Sequence, residues 1–247
     1  MEHSIPKTHP RYRSLITREK LIKGFRNGIV APQGLIAHGR GEAFDYILAE
    51  KTHEFAFAAE KAAVILMLKA EKPVISVNGN TASLVPEEIS KLSKLLNAPL
   101  EVNLFHWSRE RVENIAKHLK KYGAEVLSAG DAVLEGLESA RRIVDKKGIY
   151  IADVVLVPLE DGDRCEILKK HGKKVIAIDL NPLSRTSQMA DVTIVDNITR
   201  AIPNMIKICE EIKKSPEESE FDNKKNLNEA IKMICEHLRN SVSLERA

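Results

Sequence analysis

A chain of 247 residues with 43% hydrophobic side chains is long enough for one large α/β domain and apolar enough to build its core. Its 38 lysines and arginines stand against 35 aspartates and glutamates, a formal charge of +3, so the overall balance gives no reason to expect a nucleic-acid partner. Cys165, Cys209 and Cys235 are too far apart for a disulfide framework or a metal knuckle, and Ala62–Leu68, the most apolar stretch, is too short to span a bilayer.

The opening residues, Met1-Glu-His-Ser-Ile-Pro-Lys7, lack the basic start and apolar run of a signal peptide, so a cytoplasmic protein with reduced thiols and no membrane partner is expected. Abundant Lys, Glu and Ile fit a thermophilic source without establishing one. Residues 1–72 read as a helical part. Thr17–Asn27 carries an apolar stripe at Leu21, Ile22 and Phe25, and Gly28 ends it. A glycine-rich turn is predicted over Gly34–Gly41, followed by helices at Glu42–Glu50 and His53–Ala70, the second buried on more than one face.

From Pro73 to about residue 214, short aliphatic runs alternate with helical patterns at the spacing of βα units. Strands are predicted at Val74–Val77, Leu100–Phe105, Glu125–Leu127, Val154–Pro158, Lys174–Ile178 and Val192–Val195. Helices are predicted at Pro86–Leu96, Arg109–Tyr122, Arg164–His171 and Ala201–Lys213. Uninterrupted aliphatic strands such as Val154-Val-Leu-Val157 suit a sheet covered on both faces, so a Rossmann-like, doubly wound, mostly parallel sheet is expected. Residues 215–247 add a polar break and a helical extension, with Leu227, Ile231, Ile234, Cys235 and Leu238 at helical spacing. That helix either packs on the core or makes a dimer contact. The three parts together read as a single domain over 1–247.

In such a sheet ligands bind beyond the carboxyl ends of the strands. Five successive strand exits carry Asn, Asp or Arg: Asn78-Gly-Asn80; Asn103 with His106; Glu160-Asp161-Gly-Asp-Arg164; Asp179-Leu180-Asn181 with Ser184-Arg185-Thr186; and Asp196-Asn197. Asn and Asp are ordinary turn formers and helix caps, which explains any one exit better than all five. Together they suit a polar, phosphorylated ligand, with amides reading hydroxyls and arginines clamping phosphates. Gly39-Arg40-Gly41, placed before a predicted helix, is either a tight turn or an anion cradle of free N–H groups. It is neither a Walker A loop nor a dinucleotide fingerprint. Lys7, His9, Arg11, Arg13 and Arg18 form either a solvated basic arm or a lid that brings cations onto phosphates. His38 sits beside the glycines, where a structural role and a contact to a phosphate or reacting carboxylate are both open. No nucleophile elbow and no metal-ligand motif appears.

The stretches Ile5-Pro-Lys-Thr-His-Pro-Arg-Tyr12, Gly34–Tyr46, Val74–Asn80, Glu101–Phe105, Ala152–Arg164, Ile178–Arg185 and Met189–Asn197 resemble archaeal phosphopantothenate synthetases, in the same order, from about residue 4 to 210. The last thirty-odd residues read as divergent. The resemblance implies a homodimeric ligase of coenzyme A biosynthesis. It would join 4-phosphopantoate and β-alanine with ATP and Mg²⁺, releasing AMP and diphosphate through an acyl adenylate.

The resemblance also implies nucleotide contacts from Arg18, Arg40, Asp179, Leu180, Asn181, Arg185, Thr186, Asn197 and Ile198. Substrate contacts would come from His38, Asn78, Asn80 and the Glu160–Arg164 loop, with Asp161 and Arg164 foremost and Arg164 on the 4-phosphate. Catalytic roles fall on His38, Arg40, Asn80, Asp161 and Arg164, and no metal ligand is assigned. A kinase or nucleotidyltransferase, and a nucleotide-sensing regulatory domain, remain alternatives that the fold alone does not separate.

Overall fold

The computed structural model describes residues 5–159, 162–212 and 220–242. Three helices come first: α1 (Tyr12–Arg26), α2 (Pro32–Ile47) and α3 (Glu54–Lys69). The alanine-rich face of α3 is buried through Ala56, Ala59, Ala63, Val64 and Met67, as its composition required.

The glycine-rich segment corrects the sequence reading. Gly34, Gly39 and Gly41 lie inside α2, not in a turn before a helix. Pro32 in the first turn starts the helix early, because its fixed φ suits that turn and its missing N–H would be unpaired there anyway. Each interior glycine costs the helix about 1 kcal/mol relative to alanine. Close packing offsets this at Gly34, where a β-carbon would stand 2.3 Å from Asn80 Oδ1.

The alternating region begins with β1 (Pro73–Val77), then α4 (Gly79–Leu84) and α5 (Pro86–Leu96). There follow β2 (Leu100–Val102), α6 (Arg109–Lys120) and β3 (Val126–Leu127). An unforeseen hairpin of β4 (Ala132–Val133) and β5 (Ile143–Val144) comes next, with a 3₁₀ turn at Ala140–Arg142 between them. The chain continues through β6 (Val154–Pro158), α7 (Gly162–Lys170), β7 (Lys174–Ile178), α8 (Arg185–Met189), β8 (Val192–Ile194), α9 (Ile198–Ile212) and α10 (Asn223–Val242).

Six strands form one parallel sheet in the order β3-β2-β1-β6-β7-β8. Counting only these strands, the order is 3-2-1-4-5-6, that of a doubly wound sheet whose order reverses between β1 and β6. Side chains alternate between its faces. Ile75, Leu100, Leu156, Ile176 and Ile178 join the core that includes α3, α5, α6 and α9. Val74, Val155, Val157, Val175 and Ala177 meet Leu134 of the hairpin region and Leu168 of α7 on the other side. The predicted fold class is therefore the observed one. Strand β2 is shorter than predicted: its partner β3 has only two residues, and the Asn103 side chain turns to the hairpin, donating to Ile143 O at 2.8 Å.

The terminal helix packs on the core, not away from it: Leu227 and Ala230 of α10 meet Leu48, Phe55 and Val195. The polar break at Ser215–Glu220 lies, but for Glu220, outside the described residues.

Glu60 is fully buried on α3. Burial and the neighbouring Asp196 push its carboxyl up from 4.5 to about 8, against the opposing hydrogen bond from Asn204. Between those values the folded chain holds a proton that the unfolded chain has released. This contribution to stability is complete below pH 4.5 and is lost as pH rises through about 8. A Glu60→Gln variant, whose amide oxygen still accepts from Asn204, is expected to flatten the fall in urea midpoint between pH 6 and pH 9. The difference should be roughly 2–3 kcal/mol, and an unaltered slope would show that Glu60 is ionised throughout.

Candidate active site

A cavity of about 560 Å³ opens at the carboxyl ends of the central strands. Helix α2 runs across it, and its glycines explain how it sits so close. Gly34 abuts Asn80 at the end of β1, and a β-carbon on Gly41 would lie 3.6 Å from Leu180 at the end of β7. Seven residues after His38, Asp45 reaches the β8 exit, where Asn197 Nδ2 donates to Asp45 Oδ2 at 2.8 Å. One helical stripe therefore spans three strand exits.

Each exit is built by its own side chains. Asn78 caps α4 by accepting from Thr81 N at 3.0 Å, and its amide donates to Pro158 O and Leu159 O, joining β1 to β6. Asn80 donates to Gly34 O at 2.8 Å. After β7, Asp179 accepts from Asn181 N at 2.9 Å and from the Ser184 hydroxyl, which also caps α8. Burial pushes the Asp179 carboxyl up, against those hydrogen bonds and the positive charge of Arg40. After β8, Asn197 Oδ1 accepts from Thr199 N while Arg200 bridges the buried carboxylates of Asp45 and Asp196.

The sequence-predicted residues His38, Arg40, Asn78, Asn80, Asp179, Leu180, Asn181, Arg185, Thr186, Asn197 and Ile198 all line this cavity. Among the described residues Arg40 makes no ion pair, whereas Arg185 is held by Asp163 and Glu166 of α7. Arg18 stands one layer back. Its guanidinium grips Glu42 at 2.7 Å, and it is Glu42 that faces the cavity. The other basic residues of the arm do not line it, and Arg11 instead lies over the Tyr46 ring at 5.6 Å.

Two expectations change. The anion cradle at Gly39–Gly41 is not present as imagined, because N–H groups in mid-helix are already committed to the helix. Arg164 is fully buried and off the cavity wall, donating to Ser76 Oγ at 3.1 Å. Helix α7 starts at Gly162, and two residues on its register turns inward to the sheet. Glu160 and Asp161 lie outside the described residues.

Sequence reasoning missed Arg111 and Arg141, the cations at the opposite end of the cavity. Arg111 donates to the carbonyls of His106 and Ile29 and, among the described residues, has no carboxylate partner; burial lowers its pKa. Extending the strand-exit reading one turn into α6 would have found it. Arg141 donates to Asn103 O at 3.2 Å and sits in the 3₁₀ turn of the hairpin, for which the sequence offered no periodic signal.

The family profile described as phosphopantothenate/pantothenate synthetase matches residues 55–237. A Methanosarcina mazei protein named "4-phosphopantoate--beta-alanine ligase" is 55% identical over 243 residues, covering 95% of this chain and 96% of its own. Proteins of the same name from Thermococcus kodakarensis and Thermococcus onnurineus are 53% and 52% identical, each covering 95% of this chain and 94% and 93% of their own. The match reaches well into α10, further than the resemblance read from motifs. With the family profile matched over most of the chain and identity this high over nearly the whole length, the chain belongs to the phosphopantothenate/pantothenate synthetase family.

Proposed function

We infer that this chain joins 4-phosphopantoate to β-alanine, using ATP and releasing AMP and diphosphate, in coenzyme A biosynthesis. The observation that carries the reading is a single cavity with cations at both ends, in a chain of this family. A ligase that activates one phosphorylated acid with ATP must hold two separate phosphate groups while leaving the carboxylate between them free to react.

Arg40, Asp179–Asn181, Arg185, Thr186, Asn197 and Ile198 form the nucleotide end. Arg40 and Arg185 take phosphate charge, and the Asn197 amide and Ile198 backbone meet ribose or adenine. Arg18 acts from behind Glu42. Arg111 and Arg141 form the end that receives the acid's own phosphate, in the role first assigned to Arg164. The carboxylate attacks the α-phosphorus of ATP, diphosphate leaves, and the amine of β-alanine then displaces AMP from the acyl adenylate. No cysteine lines the cavity, and this chemistry needs none: it asks for positioning and neutralised charge.

Among the described residues no cluster of three carboxylate, His or Cys side chains offers a cage for a divalent cation. A Mg²⁺ ion here fits coordination by the nucleotide's phosphates and water, with Asp179 and Asn181 beside it. A homodimer belongs to the same reading, supported by exposed Ile36 and Leu183 next to the cavity-lining residues. Among the described residues no helix is long and apolar enough to cross a membrane.

Incubating the protein with ATP, Mg²⁺ and β-alanine, plus either 4-phosphopantoate or pantoate, tests the reading. AMP is expected only when 4-phosphopantoate and β-alanine are both present. ADP would point to a kinase, and nucleotide binding without turnover to a regulatory module.

A further inference from the structure

The ligase reading leaves one chemical need unassigned. β-Alanine arrives as an ammonium ion, and its nitrogen cannot attack the adenylate until a proton has been removed. The acceptor must lie between the two cationic ends of the cavity, be deprotonated, and have a free lone pair.

Among the described residues His38 meets all three, whereas the Glu42 oxygens on the same cavity are taken by Arg18 and Ser14. His38 lines the cavity from the middle of α2. It lies four residues after Gly34, which touches Asn80 at the β1 exit, and three before Gly41, which approaches Leu180 at the β7 exit. At 1.5 Å of rise per residue, those landmarks lie about 6 Å and about 4.5 Å away along the axis. His38 therefore stands over the junction of the acid and nucleotide halves. Its Nε2 atom is buried and has no hydrogen-bond partner among the described residues, so on this cavity-lining side chain it is open to a bound group.

Resting on the ligase reading, we propose that His38 Nε2 accepts the proton of the β-alanine ammonium group and so serves as the general base of the second half-reaction. The ammonium passes one proton to Nε2, and the freed amine lone pair forms the C–N bond at the acyl carbon. The tetrahedral adduct then collapses, breaking the C–O bond to AMP and releasing its second proton to solvent. His38 loses its proton to solvent before the next turnover.

The surroundings keep the ring neutral for this task. Burial lowers the imidazole pKa, and Arg18 of α1 adds to the effect, while Glu42 and Asp45 on α2 oppose it. The base form therefore persists to lower pH than for a free imidazole, and activity declines at correspondingly lower pH.

The two half-reactions separate the outcomes. Acid-dependent exchange of diphosphate into ATP reports adenylate formation alone. Formation of 4′-phosphopantothenate requires the amine step. In His38→Gln, exchange is expected to stay within about threefold of the wild type, while condensation with β-alanine falls roughly 10²- to 10³-fold. Hydroxylamine, largely uncharged at neutral pH, should trap the adenylate at nearly the wild-type rate, and the acid limb of the kcat profile should disappear. An equal loss in exchange and condensation, or unimpaired condensation, would overturn the assignment. Absence of acid-dependent exchange in the wild type would instead overturn the ligase reading itself.

Discussion

Replacing Arg111 with methionine is expected to raise the KM for 4-phosphopantoate roughly 10- to 100-fold, with little change in the KM for ATP. The guanidinium is half-buried and, among the described residues, bonds to the carbonyls of His106 and Ile29 with no carboxylate to neutralise it. A hydrogen bond to a charged group contributes about 1.5–3 kcal/mol, and each 1.4 kcal/mol is a factor of about ten. Methionine keeps much of the aliphatic volume and removes the charge together with the two hydrogen bonds to His106 O and Ile29 O. Initial rates with 4-phosphopantoate and with pantoate check the point: the variant should lose most of its preference for the phosphorylated acid. A raised ATP KM with unaltered acid KM would move Arg111 to the nucleotide.

Arg200→Met should be the most destabilising single change near the site. Arg200 is shared by Asp45 and Asp196, bonding Asp45 Oδ1 at 2.6 Å and Asp196 Oδ1 through Nε at 2.8 Å. Both carboxylates are buried, so removing the arginine leaves two negative groups facing each other in a poorly solvated place. Breaking a buried pair by deleting one partner costs ~3–5 kcal/mol. Because part of the guanidinium reaches solvent, the low end, about 3 kcal/mol, is the expected loss, or roughly 6–12 °C in Tm for a chain of this size. Asp45→Asn should cost less, since Asp196 retains the arginine. In Asp45→Asn the Asn197 amide loses the carboxylate that orients it, so the ATP KM should rise in that variant as well. Thermal unfolding together with ATP titration checks both effects, and an unaltered Tm for Arg200→Met would mean the two carboxylates relax into solvent at no cost.

The glycines of α2 show where sequence reading reached its limit. Gly34, Gly39 and Gly41 look like turn residues because glycine lowers helix propensity. Gly34 earns its place from a contact 46 residues away, with Asn80, which no local pattern contains. Arg164 fails similarly. It follows an aspartate-rich strand exit, yet the start of α7 at Gly162 turns its side chain inward to Ser76. Arg111 and Arg141 converge on one cavity only because β2 lies beside β1 and the hairpin folds back onto Asn103.

Residue order alone carried the class of the fold and most of the polar residues in the cavity wall. Aliphatic strands of five residues or fewer, each followed by polar residues and a helical pattern, leave a parallel sheet as the arrangement that buries them, and a parallel sheet gathers its strand exits at one edge. That is why Asn78, Asn80, Asp179, Asn181, Thr186 and Asn197 were legible as neighbours despite separations of over a hundred residues. Tertiary packing decided what stands opposite them. Helix α2 lies across the exits, carrying His38 and Arg40 inward, and Glu42 intervenes between Arg18 and the cavity. The end of the cavity that carries Arg111 and Arg141 was closed by α6 and the hairpin. Orientation of this kind depends on which surfaces fit when distant segments meet, and local spacing holds no record of it.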